Sequence, residues 1–308
     1  MRRFLIDTDT ASDDAVALLM ALRSPDVHVE AITVVAGNVP LEPAVQNALY
    51  TVELCGKQTP VHAGLAKPML RDLEDGRHVH GYDGMGDIGL DLTGRTPAEG
   101  HAVDVIIDTI CSSPGEITLV TLGPLSNVAV ALLKEPRLAE CVKECVVMGG
   151  CCVLPGNITP LAEFNIYVDP EAAKIVFESG MPLVLVGWEE SITSGFITME
   201  ESAKLEAIGT KYSEFAVGIQ RTLIDYLEKN TGMLGYDLPD PLAVAVALDA
   251  SITTLERKRV DVITGDGPAR GQTVVDVWGV GGQPPNVDVA VKVSAEKIQT
   301  MLAELLKE

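Results

Sequence analysis

Four aspartates crowd the segment DTDTASDD at residues 7–14, and they are Asp7, Asp9, Asp13 and Asp14. Carboxylates this close repel one another unless a cation, bound protons or a helix N-terminus compensates their charge. The segment contains no histidine or cysteine, and oxygen ligands alone favour Ca²⁺ or Mg²⁺ over zinc. It therefore predicts a site for a hard divalent cation. A single helix-capping aspartate beside three solvated ones would explain only one of the four.

A second interpretation of the same segment assigns it to a different class of enzyme. Asp7 and Asp9, with Thr10 one position before the place of the motif's threonine, resemble the D-x-D-x-T loop of haloacid dehalogenase-like phosphatases. In those enzymes the first aspartate is a covalent nucleophile and the second an acid/base. Because the match covers three residues only, it has little specificity.

The elements around this segment predict how it is positioned. A strand at 3–7 precedes it, a helix at 14–22 follows, and a second strand spans 27–36 with Asn38 just past its end. The same alternation predicts helices at 40–54, 102–111, 124–133, 199–229, 240–248 and 295–306, and strands at 117–122, 141–148, 183–186, 259–264, 273–277 and 287–291. Asp169 and Pro170 open a further helix that ends before Gly180.

Alternating strands and helices predict an α/β fold of Rossmann-like type, with a mostly parallel central sheet flanked by helices. No linker or shift in composition interrupts the pattern, so we predict a single domain over residues 1–308. Open α/β sheets bind ligands at the carboxyl ends of their strands, where the acidic segment falls.

Composition and charge restrict the kinds of partner that the protein can bind. The 308 residues are 47% hydrophobic and carry a formal net charge of −21, which disfavours nucleic acid and anionic membrane surfaces. The N-terminal segment lacks the roughly 7–15 apolar residues of a secretory signal, and no stretch approaches the roughly 18 of a membrane span. We expect a cytoplasmic protein with no membrane partner.

Several further motifs occur in a fixed order along the chain. The opening segment Asp7-Thr-Asp9-x3-Asp13-Asp14 resembles the signature of the inosine-uridine preferring nucleoside hydrolases. Other blocks similar to that family lie at residues 37–38, 80–86, 123–127, 148–150, 156–165, 169–172 and 240–243. The resemblance covers residues 3 to about 290, and the phosphatase interpretation would leave most of these blocks without a role.

This resemblance implies the nucleoside hydrolase fold and a Ca²⁺-dependent cleavage of the N-glycosidic bond of free ribonucleosides, giving base and ribose. It implies that the ion is bound by Asp9, Asp14, Asp240 and the backbone carbonyl of Leu122. Asp9 would also take the proton of the attacking water. The positions that match the family's substrate-binding residues are Asp13, Asn38, His80, Met148, Asn157, Glu163 and Asn165.

One position departs from the family pattern. Many members have a histidine directly before the last calcium-binding aspartate, thought to protonate the departing base, and here that residue is Pro239. The aromatic residues available for a base pocket include Trp188, Tyr226 and Tyr236. The preference for purine or pyrimidine is left open. The missing histidine also leaves open a catalytically silent nucleoside- or ribose-binding protein, although such a protein would have no need of Asp9.

Subunit number is not encoded in any motif of the chain. The resemblance implies a homodimer or homotetramer, and a small-molecule nucleoside as the partner.

Overall fold

Eleven strands form two sheets in the computed structural model, which describes residues 1–308. They are β1 (Arg2–Thr8), β2 (Val27–Val34), β3 (Val61–Ala63), β4 (Ile117–Thr121), β5 (Glu144–Met148), β6 (Leu183–Val186), β7 (Phe196–Thr198), β8 (Gly235–Asp237), β9 (Thr253–Val262), β10 (Thr273–Asp276) and β11 (Val287–Val293). Nine lie in one sheet, in the order β10-β9-β11-β6-β5-β4-β1-β2-β3. Its strands from β11 to β3 are parallel, and β9 pairs antiparallel with both β11 and β10. The predicted mostly parallel sheet is confirmed.

Fourteen α-helices surround the sheet. They are α1 (Ser12–Arg23), α2 (Leu41–Leu54), α3 (Arg77–His80), α4 (Ala102–Cys111), α5 (Ser126–Lys134), α6 (Leu138–Cys141), α7 (Phe164–Val168), α8 (Pro170–Glu178), α9 (Trp188–Thr193), α10 (Met199–Glu206), α11 (Lys211–Gly218), α12 (Arg221–Thr231), α13 (Pro239–Leu248) and α14 (Ala295–Leu306), with a 3₁₀ turn at Ala250–Ile252. None of these helices combines the length and the apolar character needed to cross a membrane.

The helices cover both faces of the sheet. In β1, Phe4 and Ile6 contribute to one apolar core while Leu5 contributes to the other, because successive side chains of a strand point to opposite faces. Helices α1, α13 and α14 pack into the first core, and α4, α5 and α8 into the second. A parallel strand buried on both faces favours a run of consecutive apolar residues, which β6 has along its whole length and β1 has at residues 4–6.

Several predicted boundaries differ from the structure. The single helix predicted at 199–229 is three helices, α10 to α12. Thr198 and Thr210 each cap the helix that follows, and Gly209 adopts a left-handed φ of 72° between them. The strand predicted at 141–148 begins at Glu144, and Cys141 ends the short helix α6. The strand predicted at 259–264 begins earlier, at Thr253, and β3, β7 and β8 were not predicted.

Asp169 is the N-cap of α8, as predicted. Its Oδ1 accepts a hydrogen bond from the Ala172 N–H at 3.1 Å. Its Oδ2 accepts from the Ser126 hydroxyl at 2.5 Å and from the Met69 N–H at 2.8 Å. One buried carboxylate therefore ties the start of α8 to the start of α5 and to the loop that leads towards α3.

Candidate active site

Five residues of the candidate site lie at the carboxyl ends of five neighbouring strands. They are Asp9 after β1, Asn38 after β2, Leu122 after β4, Met148 at the end of β5 and Trp188 after β6. Because parallel strands end at the same edge of a sheet, residues far apart in the chain meet there. The site thus lies where the acidic segment was expected to place it.

A cluster of buried carboxylates forms the floor of the site. One carboxylate oxygen from each of Asp13, Asp14 and Asp240 lies within 4.8 Å of the other two. Asp14 is fixed by hydrogen bonds from the Thr8 hydroxyl at 2.5 Å and the Ala11 N–H at 2.9 Å. Asp240 stands in the first turn of α13. The two ends of the chain therefore supply acidic side chains to one point.

Asp9 lies beside this cluster in a tightly closed space. Its Oδ2 accepts a hydrogen bond from the Asn38 N–H at 2.6 Å, whereas its buried Oδ1 has no partner. A Cβ atom at Gly37 or Gly123 would come within 2.1 or 2.6 Å of the Asp9 carboxylate oxygens, so only glycine fits at either position. Two close backbone approaches therefore fix the position of the Asp9 carboxylate.

Burial and mutual repulsion hold protons on the cluster. Burial, and then the charge of Asp237, raises the pKa of Asp13 to about 7. Burial and the charge of Asp13 raise the pKa of Asp14 to about 6. Burial and the charge of Asp14 raise the pKa values of Asp9 and Asp240 well above the usual aspartate range. The four carboxyl groups are thus too close together and too deeply buried to ionise together without a counter-charge.

The protein supplies little of that counter-charge. His80 lies 3.7 Å from Asp13 Oδ1, but burial lowers the pKa of His80 to about 4, so its ring is neutral near pH 7. Asp13 Oδ1, like Asp9 Oδ1, is buried without a hydrogen-bond partner. Buried, unpaired carboxylate oxygens in an all-oxygen group are suited to a divalent cation, and the aspartate cluster can bind a metal ion.

The predicted ligand set and this cluster overlap without being identical. Asp14 and Asp240 belong to both, whereas the third oxygen within 4.8 Å comes from Asp13 rather than from Asp9. The Leu122 carbonyl accepts a hydrogen bond from Asn165 Nδ2 at 2.7 Å, and a carbonyl oxygen retains a second lone pair for another contact. Asp13 was predicted to bind substrate, and it is also part of the floor.

A cleft with about 770 Å³ of empty space, open solvent at its mouth included, lies above the cluster. Most of the predicted site residues line it, namely Asp13, Asn38, His80, Leu122, Met148, Asn157, Glu163, Asn165, Trp188, Tyr226 and Asp240. Further lining residues that the sequence did not single out are Gly76, His78, Val79, Ile158, Phe164, Leu223 and Leu227. Of these residues, His78 could have been predicted from the sequence, because it lies two residues before His80.

Glu163 and Asn165 form a fixed polar wall next to the floor. Glu163 is the N-cap of α7 and accepts hydrogen bonds from the N–H groups of Gly150, Asn165 and Ile166 at 2.8, 2.8 and 3.2 Å. Burial raises the pKa of Glu163 to about 7 despite these bonds. Asn157 is exposed at the rim, where its Oδ1 accepts from the Phe164 N–H at 2.9 Å.

The opposite end of the cleft is aromatic and apolar. Trp188 is the half-buried first residue of α9. Tyr226 of α12 meets His78 edge to face, with ring centroids 5.7 Å apart. The Ser12 hydroxyl and Nδ1 of His80 are 2.9 Å apart. The floor lies at the ends of strands, whereas this end of the cleft is formed by helices that connect the strands.

Tyr236 does not line the cleft, so its proposed place in a base pocket is corrected. The ring is 1% exposed in the main core, and the hydroxyl bonds the Ser202 hydroxyl at 3.3 Å. The next residue, Asp237, lines the cleft instead. Because β8 is a strand, consecutive side chains point in opposite directions, and only one of this pair can face the site.

Known proteins share both this sequence pattern and this fold. The sequence model of the family "Inosine-uridine preferring nucleoside hydrolase" matches residues 4–300. The pyrimidine-specific ribonucleoside hydrolase RihA of Escherichia coli is 37% identical over 305 residues, which cover 98% of this chain and 97% of that protein.

Two solved structures superpose along the whole chain. The plant nucleoside hydrolase PpNRh1 has a TM-score of 0.94 and 33% identity, and covers 99% of both chains. The purine-preferring ribonucleoside hydrolase from Gardnerella vaginalis has a TM-score of 0.91 and 32% identity, also covering 99% of both chains.

The chain belongs to the inosine-uridine preferring nucleoside hydrolase family. It is an N-ribosyl hydrolase with the α/β fold of that family, and it cleaves the N-glycosidic bond of small-molecule ribonucleosides. The haloacid dehalogenase-type phosphatase and the silent binding protein, both open from the sequence, are not supported.

Proposed function

We propose that the reaction is a Ca²⁺-dependent hydrolysis of free ribonucleosides in which Asp9 accepts a proton from the attacking water. The observation that carries this proposal is the buried, unpaired carboxylate cluster at the floor of the cleft. Several carboxylates and a backbone carbonyl form a ligand set typical of calcium. The residues that would hold the ion are Asp9, Asp14, Asp240 and the Leu122 carbonyl, with Asp13 close enough to contribute.

The role of Asp9 follows from its two oxygens. Oδ2 is held by the Asn38 N–H, while Oδ1 has no partner and can receive a proton. A bound divalent cation would supply positive charge that keeps the carboxylates ionised and polarises nearby oxygen atoms. An ionised Asp9 is then a base fixed by the backbone at Gly37 and Gly123.

The remaining residues would orient the sugar. Asp13, Asn38 and Asn165 are the proposed partners of the lower ribose hydroxyls. Asn157, Glu163 and His80 would lie nearer the 5′-hydroxyl, and Met148 would pack against the sugar. As the N-glycosidic bond breaks, the ribose gains oxocarbenium character, and a carboxylate-rich floor stabilises the positive charge that develops.

The fixed position of Glu163 predicts that nucleotides are excluded as substrates. All three of its protein hydrogen bonds come from backbone N–H groups, so the side chain cannot turn away without losing them. A 5′-hydroxyl can donate to this carboxylate, whereas a 5′-phosphate would place about two negative charges beside it. Free nucleosides are therefore the proposed substrates, rather than nucleotides.

The test is a reducing-sugar assay on inosine, adenosine, uridine and cytidine, with and without a chelator. We expect ribose to be released, the release to stop in chelator, and excess Ca²⁺ to restore it. Turnover that is unaffected by complete metal removal would contradict the metal dependence. Ribose binding without any turnover would contradict hydrolysis itself.

The proposal also covers the number of domains, the number of subunits and the location in the cell. The central sheet takes strands from both ends of the chain, which supports one domain over residues 1–308. We also propose a homodimer or homotetramer in the cytoplasm. Light scattering of the purified protein would measure the subunit number.

A further inference from the structure

The position directly before Asp240 holds no proton donor for a departing nucleobase. Cleavage of the C–N bond leaves an electron pair on the base, and protonating the base lowers the barrier to its departure. Pro239, which precedes Asp240, has no side-chain proton to give. A different side chain facing the cleft must supply that proton if the base is to leave as a neutral molecule.

Asp237 is a buried carboxyl group that lines the cleft three residues before Asp240. Its Oδ2 lies 3.0 Å from Trp188 Nε1, which donates to it, and 3.1 Å from the Ser191 hydroxyl. No donor from another residue reaches Oδ1. The Asp237 carboxyl is therefore held by one oxygen, and the other oxygen is left for a ligand.

The contacts of Asp237 set it apart from the floor. It is outside the group of oxygens within 4.8 Å formed by Asp13, Asp14 and Asp240. Its two partners, Trp188 and Ser191, both belong to α9 at the base end of the cleft. Neither partner belongs to the carboxylate cluster, so Asp237 is anchored at the base end rather than at the floor.

We propose that Asp237 is the general acid that protonates the leaving base, with Trp188 as the residue that positions it. This inference rests on the nucleoside hydrolysis proposed above. The carboxyl would deliver its proton from Oδ1 to a ring nitrogen or carbonyl oxygen of the base. Trp188 would hold Oδ2 so that Oδ1 faces the cleft.

The C–N bond breaks and its electron pair passes to the base, which receives the proton of Asp237. The oxygen of water bonds to the anomeric carbon, and the proton of that water passes to Asp9. Solvent returns a proton to Asp237 and removes one from Asp9. One nucleoside and one water give one neutral base and one ribose.

The environment of Asp237 favours the protonated form required of an acid. Burial raises its pKa, while the hydrogen bonds from Ser191 and Trp188 and the nearby His80 lower it. A second acidic group near it is Asp13, and the charge of Asp237 raises the pKa of Asp13. A carboxyl so placed can hold a proton at a pH where a solvated aspartate cannot.

The other titratable groups at this end are less suited to the task. His80 is buried with a pKa lowered to about 4, so near pH 7 it carries no proton beyond its neutral form. His78 is exposed on α3 and bonds no group that would orient it towards the base. Asp237 combines burial, a fixed orientation and a free oxygen.

The test compares two leaving groups in Asp237→Asn. Inosine and uridine need protonation of the base, whereas p-nitrophenyl riboside releases an anion that is stable near neutral pH. We expect kcat on the nucleosides to fall about 100-fold or more, and kcat on p-nitrophenyl riboside to change less than about five-fold. Asp225→Asn, an exposed carboxylate of α12, is the matched control and should leave both activities unchanged.

Equal losses on both substrates, or no loss on the nucleosides, would overturn the proposal. Trp188→Phe keeps the test decisive if Asp237→Asn does not fold. It removes a hydrogen bond that favours ionised Asp237, so the basic limb of the kcat profile for inosine should move to higher pH, and an unmoved limb would contradict the assignment. A wild-type protein that cleaves p-nitrophenyl riboside but no nucleoside would instead refute the proposed substrate.

Discussion

The two ends of the cleft are built in different ways. The sugar end is formed at the ends of β1, β2, β4 and β5 and by the first turn of α13, and most of its carboxylates and amides are buried. The base end is formed by α3, α9 and α12, with half-buried Trp188 and Tyr226 and exposed His78. We therefore expect the sheet edge to position the groups that act on ribose, and the helices outside the sheet to contact the base.

This difference explains how one fold serves several bases. A change in α12 alters surface near the base without moving a strand end, because α12 is not part of the central sheet. A change at Gly37 or Gly123 would push directly on Asp9. Substitutions at the base end should therefore alter selectivity, and substitutions at the sugar end should alter the rate on every substrate.

The strongest way to test the sugar end is Asp9→Asn. Asparagine can still accept the hydrogen bond from the Asn38 N–H but cannot take a proton from water. We expect kcat to fall by about 1000-fold or more on inosine and uridine alike, the scale of losing a general base. Circular dichroism and the thermal midpoint should match the wild type. A variant with unchanged rates would remove Asp9 from the mechanism.

The next test concerns the stability of the sugar end without metal. Folding raises the pKa values of Asp13, Asp14 and Glu163 to about 7, 6 and 7. The folded chain therefore holds protons that the unfolded chain has already released, and the free energy of unfolding falls as pH rises from about 5 to 8. In chelator, the thermal midpoint should be several degrees lower at pH 8 than at pH 5.5.

Excess Ca²⁺ is the control for that experiment. An ion that binds the folded state alone adds stability, and it adds most where the carboxylates are ionised. The midpoint should then recover at pH 8 more than at pH 5.5. A chelated protein that becomes more stable as pH rises would contradict the assigned pKa shifts.

The sequence predicted the sugar end better than the base end. Asp9 and Asn38 follow predicted strands and Leu122 ends one, and the rule that parallel strands end at one edge is enough to bring them together. Which three carboxylates are closest was not predictable, because that depends on the angle at which α1 and α13 leave the sheet. The sequence could not show that Asp13, rather than Asp9, joins Asp14 and Asp240.

At the base end, the incorrect predictions concern local secondary structure. The helices α10 to α12 were predicted as one, although Thr198 with Glu201 forms a capping box that marks a new start. Tyr236 was taken for a cleft residue because the short strand β8 was not predicted, and its alternation decides that Asp237 faces the cleft. Short strands carry too little periodicity to be found from one sequence.

A third test measures how strongly the sugar end discriminates against a 5′-phosphate on the nucleoside. Glu163→Gln keeps an acceptor for backbone N–H groups but removes the negative charge near the proposed 5′ position. We expect the ratio of kcat/KM for inosine to that for inosine 5′-monophosphate to fall about ten-fold, the effect of relieving one repulsive contact of about 1.4 kcal/mol. An unchanged ratio would place the 5′-carbon away from Glu163.

The smallest effect is expected at the base end, from Tyr226→Ala. Tyr226 has no contact with the carboxylate floor, so its loss should leave the sugar contacts intact. Removing one aromatic face from a base pocket costs about 1 kcal/mol, which raises KM for inosine about five-fold with little change in kcat. Inhibition by free ribose should not change, since ribose has no base. If ribose inhibition weakened as much as inosine binding, Tyr226 would act on the whole cleft and the two ends would not be independent.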